Sequence, residues 1–227
     1  MKGKYFIEPL FHAVVEGRKT MMREIINPQP LGNFYNKFEF TKRNRVFQKY
    51  EFTCGASLIP KYRVGERLYL KEPYILLTDF PYCADAPVYK YDGNRECSFW
   101  KHTMPSKYAR YYIEIISVKV ERIRDISEQD AIAEGVDFIF TEDECKTTVG
   151  LIGTKPSDHG YRNYLWHGLV GNGITKKQSD NWDYQYSSYA SAKDSYFSLM
   201  ERINGSGAWV VNPFVWSYTF KLVKNEK

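Results

Sequence analysis

The sequence predicts a mixed α+β fold: a small β-barrel with short helices, interrupted by three long insertions. Three observations predict it. Arg110–Arg122 and Phe214–Leu222 alternate apolar with other residues over long runs, which is the pattern of half-buried strands. The helical spacings are brief, and they do not alternate with strands as β-α-β units, which disfavours a doubly wound sheet. Polar, Pro- and Gly-punctuated segments at roughly 27–60, 78–103 and 138–190 separate the periodic stretches. With 227 residues, 43% hydrophobic and 26% charged, the chain has enough apolar side chains for a packed core, and a single domain over 1–227 is expected.

The elements follow in order. Tyr5–Ile7 reads as a short strand. Glu8-Pro9 opens a helix with proline in its first turn, Leu10, Ala13 and Val14 fall at helical spacing, and Gly17 is the expected terminator. Arg18 and Lys19 then stand where the helix dipole favours cations, which by itself requires no ligand. Asn27–Pro60 reads as an inserted loop or hairpin carrying Lys42-Arg43-Asn44-Arg45, followed by Phe47, Tyr50 and Phe52. Glu66–Tyr74 is a strand with Leu68 and Leu70 on its apolar side and Arg67, Tyr69 and Lys71 on the other. In Arg110–Arg122, Ile113 and Ile115 set one phase and Ile116, Val118 and Val120 the other, so a bulge or bend is expected between them. Ser127 with Asp130 predicts a helix cap, and Gly135 the stop. The insertion at 138–190 predicts irregular structure. Ser191 with Asp194 caps a further helix in which Tyr196, Met200 and Ile203 share a face. In the last strand Phe214, Trp216, Tyr218, Phe220 and Leu222 form one side.

Composition narrows the function classes. Lys+Arg exceeds Asp+Glu by five and aromatics reach 17%, a balance compatible with phosphate contacts and base stacking and equally with a β-rich core. The interleaving of the Lys42–Arg45 run with aromatics is the sharper signal. Cys54, Cys83, Cys97 and Cys145 form no C-x-x-C pair, and Cys83, Cys97 and His102 fit no standard metal spacing, so reduced cysteines and no metal or cofactor are expected. No leader peptide and no apolar run long enough to span a bilayer is visible, which leads to the expectation of a cytoplasmic protein with no membrane partner. Gly-rich phosphate loops and H-E-x-x-H or G-x-S-x-G motifs are absent.

Several blocks resemble one family. Gly17–Arg23 resembles the G-x-K-x-x-T-x-R signature. Tyr62–Glu72 resembles a Y-x-x-G-D-x-L-W-V-R-E strand. Met104-Pro105 with Ala109-Arg110 resembles M-P-x-x-x-S/A-R. Val120–Arg122 with Ile126–Val136 is close to V-E-R-L-Q-D-I-S-E-x-D-A-I-A-E-G-V, and Asn212–Trp216 is similar to N-P-W-V-W. Together they resemble the ASCH domain of the PUA-like group, most closely its phage and prophage branch, over rather under half the chain. The resemblance implies a PUA-like barrel in which residues 5–24, 62–76, 108–137 and 212–223 assemble, and a partner that is RNA, single-stranded DNA or a modified nucleotide.

Some ASCH proteins remove the acetyl group of N4-acetylcytidine with a lysine, a threonine and a glutamate. By position the lysine falls on Lys19 and the glutamate on Glu134, so the two are expected on one cleft. The threonine falls on Met22, whose thioether cannot attack an amide carbonyl. Thr20 is the nearest hydroxyl but is displaced by two residues. Three readings follow: a binding module without chemistry; a hydrolase or nuclease using Lys19, Glu134 and Thr20, with His102 or His159 as further candidates; and a protein-interaction factor. The candidate nucleic-acid contacts are Arg18, Arg23, Lys42, Arg43, Arg45, Trp100 and His102.

Overall fold

The computed structural model describes residues 1–42, 45–76, 87–93, 99–137, 161–162, 164, 188–189 and 191–223. The strands are β1 (Lys2–Tyr5), β2 (Met21–Ile25), β3 (Phe34–Lys42), β4 (Arg45–Phe52), β5 (Ser57–Leu58), β6 (Arg67–Lys71), β7 (Tyr74–Leu76), β8 (Pro87–Tyr89), β9 (Tyr112–Arg122), β10 (Tyr161–Arg162), β11 (Ser188–Tyr189) and β12 (Phe214–Val223). The helices are α1 (Glu8–Val15), α2 (Glu128–Ala133), α3 (Ala192–Asn204) and α4 (Ala208–Val211). The fold is mixed α+β, with a multi-strand sheet and few, short helices.

Backbone hydrogen bonds order five strands as β1-β6-β9-β12-β2. All five come from, or overlap, the segments the sequence groups together. Among the described residues no pairing joins the outer strands β1 and β2. β1 runs parallel to β6, with Lys2 opposite Leu68, and β6 runs antiparallel to β9, with Leu68 opposite Ile113. The first insertion, read as a loop or hairpin, is a three-stranded antiparallel sheet, β3-β4-β5, in which β3 and β4 form the hairpin. Most of the third insertion lies outside the described residues.

The chain forms two compact units. The first holds Met1–Met22, Gly32–Lys119 and Tyr218–Lys227; the second holds Arg23–Leu31 and Val120–Ser217. In the first, Phe6, Phe11, Leu68, Leu70, Ile113, Ile115 and Phe220 are buried, and Tyr69, Tyr74, Tyr89, Met104 and Ala109 form a packed cluster. In the second, Ile123, Ile126, Ala131, Tyr196, Leu199, Phe214 and Val215 are buried.

Local rules explain several elements. Ser127 Oγ accepts the Asp130 N–H at 3.1 Å and Ser191 Oγ accepts the Asp194 N–H at 3.1 Å, so both expected caps form. α1 carries its proline in the first turn, and the chain leaves it through Gly17 at φ 80°, a left-handed conformation that favours glycine.

Other expectations are corrected. The first strand lies at Lys2–Tyr5, ahead of the expected Tyr5–Ile7. Tyr69 is buried on the side read as polar, because its hydroxyl donates to the Met104 carbonyl at 3.0 Å within the aromatic cluster. The burial phase of β9 does switch after Ile115, and Val118 is buried in the new phase, but Ile116 is 42% exposed. Ile203 is exposed at the end of α3. Phe214 to Tyr218 are all buried, so that half of β12 is covered on both faces and does not alternate.

Candidate functional site

Three places gather the candidate residues. The first is the turn after α1, in the first unit. The Lys19 N–H donates to the Ala13 carbonyl at 2.8 Å, closing the helix end. This folds the side chain inward: Lys19 is only 2% exposed, and its Nζ lies 5.4 Å from the Phe6 ring centroid, a cation–π distance. Lys19 thus stands at the helix end, as the sequence reading has it, but with its side chain buried. Arg18 is exposed and paired with Glu16 at 2.7 Å. Thr20 is half-buried and its carbonyl accepts the Phe220 N–H at 2.8 Å. Met22 is 2% exposed, a core residue at the position where the family resemblance places a nucleophile.

The second place lies wholly in the second unit. Arg23, on β2, directs its guanidinium into three carboxylates. Nε donates to Glu121 Oε1 at 2.6 Å, Nη2 to Asp130 Oδ2 at 2.9 Å and Nη1 to Glu134 Oε1 at 3.0 Å. The Arg23 side chain has 0% exposure. Burial alone would lower its pKa, but the carboxylates of Glu134 and Glu121 reverse this and hold the guanidinium more firmly protonated than usual. The Tyr196 ring centroid lies 5.9 Å from the guanidinium carbon, and burial first, then Glu134, pushes the Tyr196 hydroxyl well above its ordinary value.

Arg23 is thus closed to a phosphate: three acids take three of its five N–H groups, and its side chain has no exposure to solvent. Glu134 is brought together with Arg23, not left as a free base. Asp130 and Glu134 are four residues apart, at the spacing that puts two side chains on one helix face. That spacing was readable in the sequence, whereas the arginine they serve lies more than a hundred residues earlier.

A second ionic group in the first unit was missed altogether. Glu72, fully buried, takes Arg110 Nε at 3.0 Å and Nη2 at 2.7 Å, and Arg110 also donates to Asp92 at 2.9 Å while covering the Tyr89 ring at 3.8 Å. Burial pushes the Glu72 carboxyl up and Arg110 pulls it back. Glu72 and Arg110 end two of the motif blocks quoted above.

The third place is the ribbon formed by β3 and β4. Its register sets Phe38 opposite Lys49, Phe40 opposite Phe47 and Lys42 opposite Arg45. These alternate rungs share one face of the ladder. Arg43, His159, Cys83, Cys97 and Cys145 lie outside the described residues, as do the side chains of Phe38, Phe40, Lys42 and Arg45, which are placed here by the backbone register alone. Phe47 is half-buried and carries the Arg63 guanidinium 4.0 Å above its ring. Near the foot of the ribbon Tyr50 is buried and donates to the Val118 carbonyl at 2.7 Å. Trp100 is half-buried and His102 is exposed.

Among the described residues no group of three or more His, Cys, Asp or Glu is placed to hold a metal ion, and no helix is long and apolar enough to cross a membrane. No protein family, curated protein or solved structure matches this chain.

Proposed function

We propose that this chain is a nucleic-acid-binding module of the ASCH, PUA-like type, one that holds a single strand or a modified nucleotide without altering it. The observation that carries the reading is the β3–β4 ribbon. Its register gathers Lys49, Lys42 and Arg45 with Phe38, Phe40 and Phe47 on alternate rungs. Cations spaced for phosphates and aromatic faces for bases are what a sequence-tolerant strand binder uses. The finer fold assignment, a PUA-like barrel, belongs to the same proposal. The five-stranded order and the pairing of Glu72 with Arg110, each closing a quoted motif block, support it.

A reading without chemistry is favoured by Met22, buried where the acyl-transfer nucleophile would stand. N4-acetylcytidine turnover well below the roughly 1 s⁻¹ of ordinary enzymes is expected. Turnover at that rate, abolished by Thr20→Ala, would restore the hydrolase reading with Lys19 and Glu134 as its partners.

The test of binding is a titration of single-stranded RNA and DNA across salt concentrations. Three or four phosphate contacts give a slope of log K on log[salt] of about −2 to −3. Removing Lys42, Arg43 and Arg45 together flattens it by up to about two units. Absence of binding to both strands at low salt refutes the reading and advances the protein-interaction alternative.

A further inference from the structure

Beside the ribbon, in the first unit, lies a surface cavity of about 200 Å³ lined by Glu39, Gln48, Ile59, Pro60, Arg63 and Val64. It is smaller than the roughly 300–1,000 Å³ of sites for drug-sized ligands, so it accommodates one ring system and leaves a sugar and phosphate outside. Ile59 and Val64 are both about half exposed and line this one cavity, which provides an apolar wall for a flat face. The polar groups are fixed. Glu39 and Gln48 are opposed in the β3–β4 register, and Gln48 Nε2 donates to Glu39 Oε1 at 3.1 Å. Gln48 Oε1 lies 3.2 Å from the Tyr50 hydroxyl, which is itself held on Val118. A carboxylate offers about four acceptor sites and an amide nitrogen two donors. The single bond between them therefore leaves acceptor capacity on Glu39 and one N–H on Gln48. Arg63, held over Phe47, adds a cation at the rim.

We infer that this cavity is a guanine subsite, in which Glu39 accepts the N1–H and the 2-amino group, Gln48 donates to O6, and Arg63 meets the phosphate. The choice follows from the acceptor. A carboxylate needs N–H donors side by side. Guanine presents two adjacent donors on its Watson–Crick edge. Adenine and cytosine present one amino group next to a ring-nitrogen acceptor, and uracil one N–H between two carbonyls, all of which set a lone pair against the carboxylate. The inference rests on the reading of the ribbon as a nucleic-acid binder; Glu39 and Gln48 form the rung between those of Phe38 with Lys49 and Phe40 with Phe47, so the preferred base sits on the face of the ribbon opposite its basic and aromatic rungs.

The experiment measures affinity for guanosine, inosine, adenosine, cytidine and uridine monophosphates by calorimetry, beside a mixed-sequence single-stranded RNA, with wild-type protein and Glu39→Gln. Guanosine monophosphate is expected to bind at least about tenfold tighter than the adenine, cytosine and uracil nucleotides, and inosine monophosphate, lacking the 2-amino group, about tenfold weaker than guanosine monophosphate. Glu39→Gln should erase both differences while leaving the thermal midpoint unchanged, since Glu39 is exposed. Equal affinities, or a guanine preference that survives Glu39→Gln, overturn the inference. If RNA binds without guanine preference, the inference fails and the ribbon reading stands. If guanosine monophosphate is preferred but RNA does not bind, the subsite stands and the ribbon reading fails. If neither binds, both fail.

Discussion

Around Arg23, in the second unit, three carboxylates share one guanidinium with no exposure to solvent. On the β3–β4 ribbon of the first unit, Lys37 stays exposed and Lys49 leans on Glu51 at 3.2 Å at the surface. The two regions carry the same residue chemistry and use it in opposite ways. A buried cation ringed by three acids sets the geometry of its unit and is closed to solvent. Cations at the surface of a two-stranded ribbon contribute little to stability and stay within reach of a polyanion. A basic residue is thus informative about binding only once its acceptors are known.

The comparison breaks most visibly at Arg23. Arg23→Ala leaves Glu121, Asp130 and Glu134 clustered without a counter-charge and should destabilise the protein by about 3–5 kcal/mol, read as a fall in the urea midpoint. A loss under about 1 kcal/mol would mean that the cluster does not hold its unit together. Next is Tyr50, the anchor beneath the ribbon. Burial first, and Glu39 second, push its hydroxyl up to about 12 from 10.0. The folded state therefore keeps a proton that the unfolded chain loses. The stabilisation is complete below pH 10 and is lost as pH rises towards about 12, by up to about 3 kcal/mol. The stability difference between wild type and Tyr50→Phe, read from unfolding curves, should therefore be constant below pH 10 and shift against wild type above it. A difference that stays constant there too would show that the hydroxyl is not shielded.

Smaller effects sharpen the contrast. Ser127→Ala removes the cap that sets α2, and with it the aim of Asp130 and Glu134. A cost of about 1 kcal/mol is expected, measured by thermal unfolding. Lys49→Ala on the ribbon should change stability by less than about 0.5 kcal/mol yet reduce the salt slope of strand binding by up to about one unit. The reverse result, a large stability loss with an unchanged slope, would make the ribbon another internal lock.

What the sequence discloses depends on range. The caps at Ser127 and Ser191, the end of α1 at Gly17 and the long strands β9 and β12 are encoded by neighbours and could be read directly. The partners of Arg23 lie 98 to 111 residues away, and no local pattern distinguishes a run that will be buried by acids from one that will face water. Tyr69 and the first half of β12 misled for a related reason. Alternation predicts one wet face, but a strand packed by side chains on both faces, as β12 is over Phe214–Tyr218, or backed by an aromatic cluster, as β6 is at Tyr69, buries both. In the site, Glu134 was identified but its ion pair with Arg23 was not, while Glu39 and Gln48 carried no signal before their register was known.

The pairing of β2 with β12 has a consequence for how the chain is made. The partners are separated by roughly 190 residues. At about 5–20 residues per second, a ribosome that has released β2 takes some 10–40 seconds to supply the strand that covers it. During that interval Met21 and Met22, both destined for the core, have no native sheet partner on that side, so the nascent chain presents an open apolar edge. Slower translation across the third insertion should lengthen this exposure and shift the yield from soluble to aggregated protein.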